Sequence, residues 1–199
     1  SIPFLFMKLR DVMTVLESIA PFDTAEEWDN VGLQVGEPGS EIRSVLVALD
    51  ASFAVIRGAA RSKTDLVITH HPLMLRPLSR LDMSQGVAKK LAMIIRGRMN
   101  LVSMHTNLDK APGGVADELA ASLNLREVCS YGALRTGTLK KRMPLRDWVR
   151  GLPFQTGRIC DAGKDVLKVG ACPGSGMEYW QQARAFGCDT MVTGDVRYH

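Results

Sequence analysis

The sequence predicts an α/β protein made of two similar lobes with mixed or parallel sheets. Short apolar runs alternate with amphipathic stretches at the spacing of βαβ units, first over residues 44–123 and again over residues 166–193. The apolar content of 46% excludes disorder as the main state of the chain. A length of 199 residues suffices to bury a core without disulfide bonds.

The first lobe is predicted over residues 1–127. Apolar residues at a 3.6-residue period predict a helix over residues 8–20. Continuous apolar runs, typical of strands that are buried on both faces, predict a parallel sheet after it. The predicted strands are residues 44–50, 66–69 and 101–104, and the predicted helices are residues 52–63, about 84–98, and from Gly113-Gly114 to about Leu123.

The second lobe is predicted over residues 128–199. Glycine, proline and basic residues interleave over residues 126–163, where the pattern predicts irregular structure. A second βαβ unit follows. Its predicted parts are a strand at 166–171, a turn at 172–176, a helix to about residue 186 and a strand at 190–193.

Two of the predicted strands lie in weakly repeated sequence. Asp-Leu-Val-Ile-Thr at 65–69 leads to His70-His71, and Asp-Thr-Met-Val-Thr at 189–193 leads to Gly194-Asp195. The repeat suggests that the lobes are related and face a shared cleft. Asp195 and His199 are then candidates to close that cleft from the second lobe.

The net charge and the cysteine pattern limit which partners and which cellular compartment the sequence predicts. The formal charge of +4 is small for a dedicated nucleic-acid binder, and the basic stretch at 135–150 is interpreted as a solvated face. Four cysteines without a CxxC pair favour buried, reduced thiols in a cytoplasmic protein. No apolar run approaches the ~18 residues of a membrane helix, so we expect no membrane partner. Met7 is interpreted as the natural start.

Polar residues collect at the predicted carboxyl edge of the first sheet, where ligands bind in open parallel sheets. They are His70, His71 and Pro72 after the strand at 66–69, His105 and Asp109 after the strand at 101–104, and Asp50 after the strand at 45–49. Pro72 is interpreted as structural, because it ends the strand.

These residue types point to metal chemistry. Consecutive strand residues face opposite sides, so His70 and His71 are predicted to hold different ions with Asp109 bridging them. Imidazole and carboxylate ligands suit zinc, iron, manganese or nickel, and two such ions form the clamp of many hydrolases. His105 is a candidate ligand, orienting partner or proton carrier. The alternative is a histidine pair that only hydrogen-bonds backbone.

Two further segments carry weaker signals. Trp28, Asp29 and Asn30 either shape a pocket rim, or form a buried anchor with two turn caps. The glycine-rich residues 174–176 either bind a phosphate at a helix start or form a tight turn. The turn is favoured because Tyr179 replaces the third glycine of a dinucleotide fingerprint.

Four segments together carry a family resemblance. They are EEWDNVGLQVGE at 26–37, DLVITHHP at 65–72, SMHTNLDKAPGG at 103–114 and TGDVRYH at 193–199. The sequence resembles the NIF3-like (DUF34) family, whose bacterial members are often labelled GTP cyclohydrolase 1 type 2 homologs. The resemblance implies a toroidal homo-hexamer. It also implies two divalent metal ions per subunit, held by His70, His71 and Asp109, with His105 close by.

The function implied is metal-dependent hydrolysis of a nucleotide or phosphoester, a small-molecule substrate, with His105 moving protons. A non-catalytic ring-shaped metal-binding or scaffolding protein is the alternative, and nucleic-acid binding is the weakest. Family members continue past the GDVRYH segment into a strand and a helix with a His-x3-Glu pair that completes the metal ligands. Because this chain stops at His199, we expect a second lobe without that strand and helix and an incomplete metal site.

Overall fold

A computed structural model describes residues 6–84, 86–154 and 157–196 of the chain. The described residues form helices together with parallel and antiparallel strands, which confirms the predicted α/β class. The strands predicted at 66–69 and 190–193 are found at those residues. Within these ranges, no helix combines the length and the apolar character that crossing a membrane requires.

The chain divides into two compact units, Ser1–Leu108 and Asp109–His199. The sequence pattern places this boundary later, between residues 127 and 128. The difference arises because the helix at Val115–Ser122 packs against strands of the second unit. Leu123, which follows this helix, is fully buried in the core of that unit.

The first unit is built on a four-stranded sheet. The described residues of the unit contain six strands, of which four form this sheet: β1 (Met7–Lys8), β2 (Gly32–Val35), β3 (Glu41–Ile42), β4 (Val45–Ala48), β5 (Leu66–Thr69) and β6 (Asn100–Ser103). Its helices are α1 (Leu9–Ile19), α2 (Phe53–Arg61), α3 (Gly86–Arg96) and α4 (Thr106–Lys110), which spans the division between the units. The order across the sheet is β2-β6-β5-β4, with β2 antiparallel and the other strands parallel. β1 and β3 pair separately.

Strands β5 and β6 are buried on both faces of this sheet. Leu66 and Val102 pack with Leu9 of α1 on one face, and Val67 and Leu101 belong to the core cluster on the other. Burying one such side chain contributes roughly 1.5–3 kcal/mol. Packing on both faces therefore holds the two strands firmly and fixes the positions of their carboxyl ends.

The second unit contains another four-stranded sheet, in the order β10-β9-β8-β7. Its strands are β7 (Arg126–Tyr131), β8 (Leu134–Pro144), β9 (Asp165–Cys172) and β10 (Thr190–Thr193). Its helices are α5 (Val115–Ser122), α6 (Leu145–Arg150) and α7 (Trp180–Ala185), the last preceded by a 3-10 turn at Gly176–Tyr179. β9 and β10 are parallel, whereas β8 is antiparallel to both β7 and β9.

The prediction of irregular structure over residues 126–163 is wrong for β7, β8 and α6. All six side chains of β7 are exposed, so no apolar alternation marks this strand. In β8 the charged Arg135 side chain is 1% exposed and pairs with Asp117 of α5. A buried arginine in a strand interior conceals the apolar pattern by which sequence analysis recognises a strand.

The basic stretch at 135–150 carries carboxylate partners at several positions. Arg135 is buried against Asp117, as described above. Three exposed members lie near carboxylates of their own: Arg142 is 3.8 Å from Asp189, Arg146 is 3.5 Å from Asp161, and Arg150 is 3.3 Å from Asp147. These pairs offset part of the positive charge that the linear sequence suggests.

The cysteines differ in exposure. Cys172 is buried, and burial raises the pKa of its thiol to about 12, with the Asp109 carboxylate adding to the shift. Cys129 and Cys160 are exposed, so the expectation of buried thiols is wrong for these two. Cys129 lies in β7, whose side chains are all exposed.

Candidate metal centre

The carboxyl ends of the parallel strands β4, β5 and β6 lie side by side. His70 and His71 follow β5 directly, while Asp50 and His105 each stand two residues beyond the ends of β4 and β6. The backbone therefore brings these four residues to one edge of the sheet, as the sequence predicts.

Three imidazoles form a compact cluster at this edge. One ring nitrogen from each of His70, His71 and His105 lies within 4.8 Å of the others. The ring centroids are 4.9 Å apart for His70 and His71, 5.1 Å for His70 and His105, and 5.5 Å for His71 and His105. The side chain of His71 is 48% exposed and that of His105 is 16% exposed, so solvent reaches the cluster at His71.

The structure places His70 and His71 in one cluster, although they are consecutive residues. Strand alternation predicts that such neighbours face opposite sides of a sheet. Both histidines lie beyond Thr69, the last residue of β5, so the pleat of the strand no longer separates their side chains.

Each imidazole is oriented by a hydrogen bond at Nδ1. Carbonyl and carboxylate oxygens only accept, so Nδ1 carries the hydrogen and the neutral ring holds its lone pair at Nε2. A metal-binding histidine is typically oriented in this way. The acceptors are the Met104 carbonyl for His70 at 2.9 Å, Asp50 Oδ1 for His71 at 2.7 Å and Asp29 Oδ1 for His105 at 2.8 Å.

Asp29 is the buried anchor of this arrangement. Its side chain is 0% exposed, and besides the His105 ring it accepts the backbone amides of Asn30 at 2.8 Å and Thr106 at 3.1 Å. The Thr106 hydroxyl donates to Oδ2 at 2.5 Å. Burial raises the pKa of Asp29, but these hydrogen bonds outweigh it and hold the pKa below its ordinary value. Asp29 therefore stays a carboxylate.

The neighbours of Asp29 resolve the alternatives left for this segment. Trp28 is 58% exposed, so it is not a buried anchor, and its ring centroid lies 6.0 Å from that of His105. The Asn30 side chain donates to the carbonyl of Met74 at 2.5 Å. Trp28 thus stands at the rim of the histidine cluster, on a segment tied to the chain that follows His71.

Asp109 is the residue that the sequence predicts as the bridging ligand. It lies in α4, where it is the first residue of the second unit. Among the described residues, the group that fits a single cation contains the three histidines and no carboxylate. The bridging role of Asp109 stays a prediction.

The glycine-rich segment of the second unit is a closely packed turn. The Gly176 amide donates to Thr193 Oγ1 at 2.8 Å, and a Cβ at residue 176 would lie 2.4 Å from the Cβ of Cys172. The amide of Asp195 donates to the carbonyl of Gly174 at 2.9 Å. His199, the other candidate in this unit, lies outside the described residues.

Fold and site together define an α/β protein with a candidate metal centre at a sheet edge. The chain belongs to the Duf34/NIF3 (NGG1p interacting factor 3) family, whose model matches residues 7–199. Proteins of Clostridium acetobutylicum and Clostridium perfringens, both named GTP cyclohydrolase 1 type 2 homolog, are each 31% identical to it. These matches cover 97% of this chain and 78% and 79% of the relatives.

Solved structures share the fold. A Staphylococcus aureus protein superposes with a TM-score of 0.89 at 27% identity, covering 97% of this chain and 81% of that one. Reduced HcgD from Methanocaldococcus jannaschii superposes with a TM-score of 0.81 at 30% identity, covering 98% and 81%. The predicted family is confirmed.

Proposed function

We propose that the chain binds divalent metal at the cluster of His70, His71 and His105 and is a metal-dependent hydrolase of a nucleotide or phosphoester. One observation carries the proposal. All three rings present Nδ1 to a fixed oxygen acceptor, and their ring nitrogens lie within 4.8 Å of one another. A histidine pair that merely bonds backbone at a strand end would not need this common orientation.

The donor set fits the metals named from the sequence. Neutral imidazoles suit zinc, iron, manganese and nickel better than calcium or magnesium. The family resemblance adds the carboxylate of Asp109 to the proposed ligands. When bound, a divalent cation of this kind supplies Lewis acidity and a nucleophilic water near neutral pH.

The chain's own residues prepare the site for that chemistry. Asp29 and Asp50 accept from Nδ1 of His105 and His71, which fixes the tautomer and orientation of each ring and leaves Nε2 free to bind a metal. His105 has one free ring nitrogen, Nε2, so it is either a metal ligand or, where the other two histidines hold the metal with Asp109 as the resemblance implies, a carrier of a proton at that atom, with the buried Asp29 carboxylate behind the ring. The exposure of His71 leaves a side of the cluster open for substrate.

The names of the clostridial relatives support a nucleotide as the substrate class. The direct test loads the protein with Mn²⁺ or Zn²⁺ and measures release of product from GTP and from p-nitrophenyl phosphate. We expect turnover that a chelator abolishes and that His105→Ala lowers by ~100-fold or more. The control variant is Lys141→Ala, an exposed change outside the cluster that should leave the rate unchanged.

Turnover that survives the chelator, or that is unchanged in His105→Ala, would contradict the hydrolase. Tight metal binding without turnover on either substrate would favour the non-catalytic metal-binding or scaffolding role instead. The two outcomes are separated by measuring bound metal and product in the same samples.

A further inference from the structure

Trp28 is an exposed aromatic residue in an unusual place. It occupies the tip of a β-turn, in which the Asp29 amide donates to the Glu26 carbonyl at 2.9 Å. Turn tips are typically filled by Gly, Pro, Asn, Asp or Ser, because these residues suit the backbone there. A tryptophan that is 58% exposed buries little apolar surface at such a position, so packing does not explain it.

The turn is held rigidly although its tip is exposed. At one end the Glu26 amide donates to Thr106 Oγ1 at 2.9 Å, and at the other the Asp29 carboxylate accepts from the amide and the hydroxyl of Thr106. Both ends of the turn are thus fastened to the residue that follows His105. The backbone of Trp28 is thereby held beside the histidine cluster, because the next residue, Asp29, also accepts the hydrogen bond that orients the His105 ring.

The geometry beside the cluster is that of a recognition surface. The Trp28 and His105 rings meet edge to face, with an interplanar angle of 75° and centroids 6.0 Å apart. A group that stacks on the exposed indole therefore lies beside the imidazoles. A tryptophan face attracts flat π-systems, and stacking tolerates many ring types.

We propose that Trp28 is the stacking platform for a planar heteroaromatic ring whose attached anionic group is bound at the histidine cluster. The inference rests on the proposed metal site and adds the residue that selects ring-bearing substrates. Phosphoesters without such a ring lack the contact and bind more weakly.

The test compares two probes on Mn²⁺-loaded protein by isothermal titration calorimetry. Guanosine 5′-monophosphate carries a ring and a phosphate, while ribose 5-phosphate carries the phosphate alone. We expect the ring-bearing probe to bind about 5- to 150-fold more tightly, which is the range for one stacked base. This comparison needs no variant.

Two variants then assign the preference to the indole. Trp28→Phe keeps an aromatic face and should keep most of the preference. Trp28→Leu keeps apolar bulk without a π-face, so both probes should bind it about equally. Bound Mn²⁺ and the unfolding midpoint should match the wild type in both variants, because the Trp28 side chain is exposed and makes no bond to the cluster's acceptors.

The inference is overturned if the wild type binds both probes equally or if Trp28→Leu retains the preference. In either case retained Mn²⁺ would leave the proposed function standing. A wild-type chain that retains no Mn²⁺ would contradict the proposed function and the platform together.

Discussion

Strand β5 of the first unit and strand β10 of the second each run parallel to the neighbouring strand that precedes them in sequence. Both begin after an aspartate that accepts a backbone amide from that neighbouring segment. Asp65 accepts the amide of Ser44 at 3.0 Å, and Asp189 accepts that of Leu167 at 3.0 Å. The weak sequence repeat thus marks a shared way of fastening the start of a strand.

The carboxyl ends of the two strands differ. The Thr69 hydroxyl donates to the carbonyl of His71, and the Thr193 hydroxyl to the carbonyl of Gly174, both at 2.9 Å. Beyond β5 the chain presents imidazoles at the cluster. Beyond β10 it presents Gly194, where a Cβ would lie 3.1 Å from the Gly174 carbonyl. The same framework carries side-chain chemistry at one edge and close backbone packing at the other.

The largest expected effect is on the stability of the second unit, which does not contain the histidine cluster. Asp117→Ala leaves the buried guanidinium of Arg135 without its carboxylate, and breaking such a pair costs about 3–5 kcal/mol of unfolding free energy. Denaturant unfolding measures the loss. The control is Asp147→Ala, whose partner Arg150 is 79% exposed and whose pair contributes at most ~1 kcal/mol. Equal losses of unfolding free energy in the two variants would contradict the stabilising role of the buried Arg135–Asp117 pair.

The same pair predicts a dependence of stability on pH. The hydrogen bond from Arg135 is the main cause that holds the pKa of Asp117 below its ordinary value. A carboxyl with a lowered folded pKa stabilises the fold above its unfolded pKa, and this contribution is lost as pH falls through the folded value. Unfolding measured downward from about pH 4 should show this loss, and Asp117→Asn should lack that component. Identical acid profiles would exclude the pair as its source.

A middle-sized effect is expected where the first unit orients its imidazoles. In Asp29→Asn an amide NH2 must face a donor, because both Asp29 oxygens accept hydrogen bonds. We expect metal affinity to fall by ~10- to 100-fold, as for other residues that orient metal ligands. Titration of Mn²⁺ against a competing chelator measures it. Asp65→Asn, at the other end of β5, should lose stability but keep its Mn²⁺ affinity.

The smallest expected effect distinguishes the carboxyl end of β5 from that of β10. Thr69→Val removes one hydroxyl hydrogen bond and should cost about 1 kcal/mol of stability, whereas Thr193→Val removes two, one donated to Gly174 and one accepted from the Gly176 amide, and should cost about 2 kcal/mol. We expect only Thr69→Val to weaken Mn²⁺ binding, because its hydroxyl holds the backbone of His71. Weaker binding in Thr193→Val as well would show that the second edge also supports the site.

Sequence patterns predicted the parts of the fold in which burial follows a simple period. β5 and β10 match residue for residue because each is a short, mainly apolar run, buried in β5 and half-buried in β10, that is typical of a parallel strand. β7 exposes every side chain and β8 buries Arg135, so neither shows the period of a strand. The gathering of His70 and His105 was predictable, because parallel strands end at one edge.

The role of Asp29 was not predictable from local sequence. Its partner His105 lies 76 residues away, and only the folded chain brings the carboxylate behind that ring. The local sequence indicates that Asp29 is a turn cap. It also has that role, since it accepts a hydrogen bond from the backbone amide of Asn30. A hydrogen bond between residues so far apart in the sequence produces no periodic pattern from which it could be predicted.

We propose that the carboxyl edge of the first sheet, and not that of the second, is a metal centre. The direct measurement is the metal content of the chain by plasma mass spectrometry, after loading with Mn²⁺ and gel filtration. The wild type and Asp195→Ala should retain stoichiometric metal, and His71→Ala should lose most of it. Wild-type protein without retained metal, or His71→Ala with wild-type content, would contradict the account.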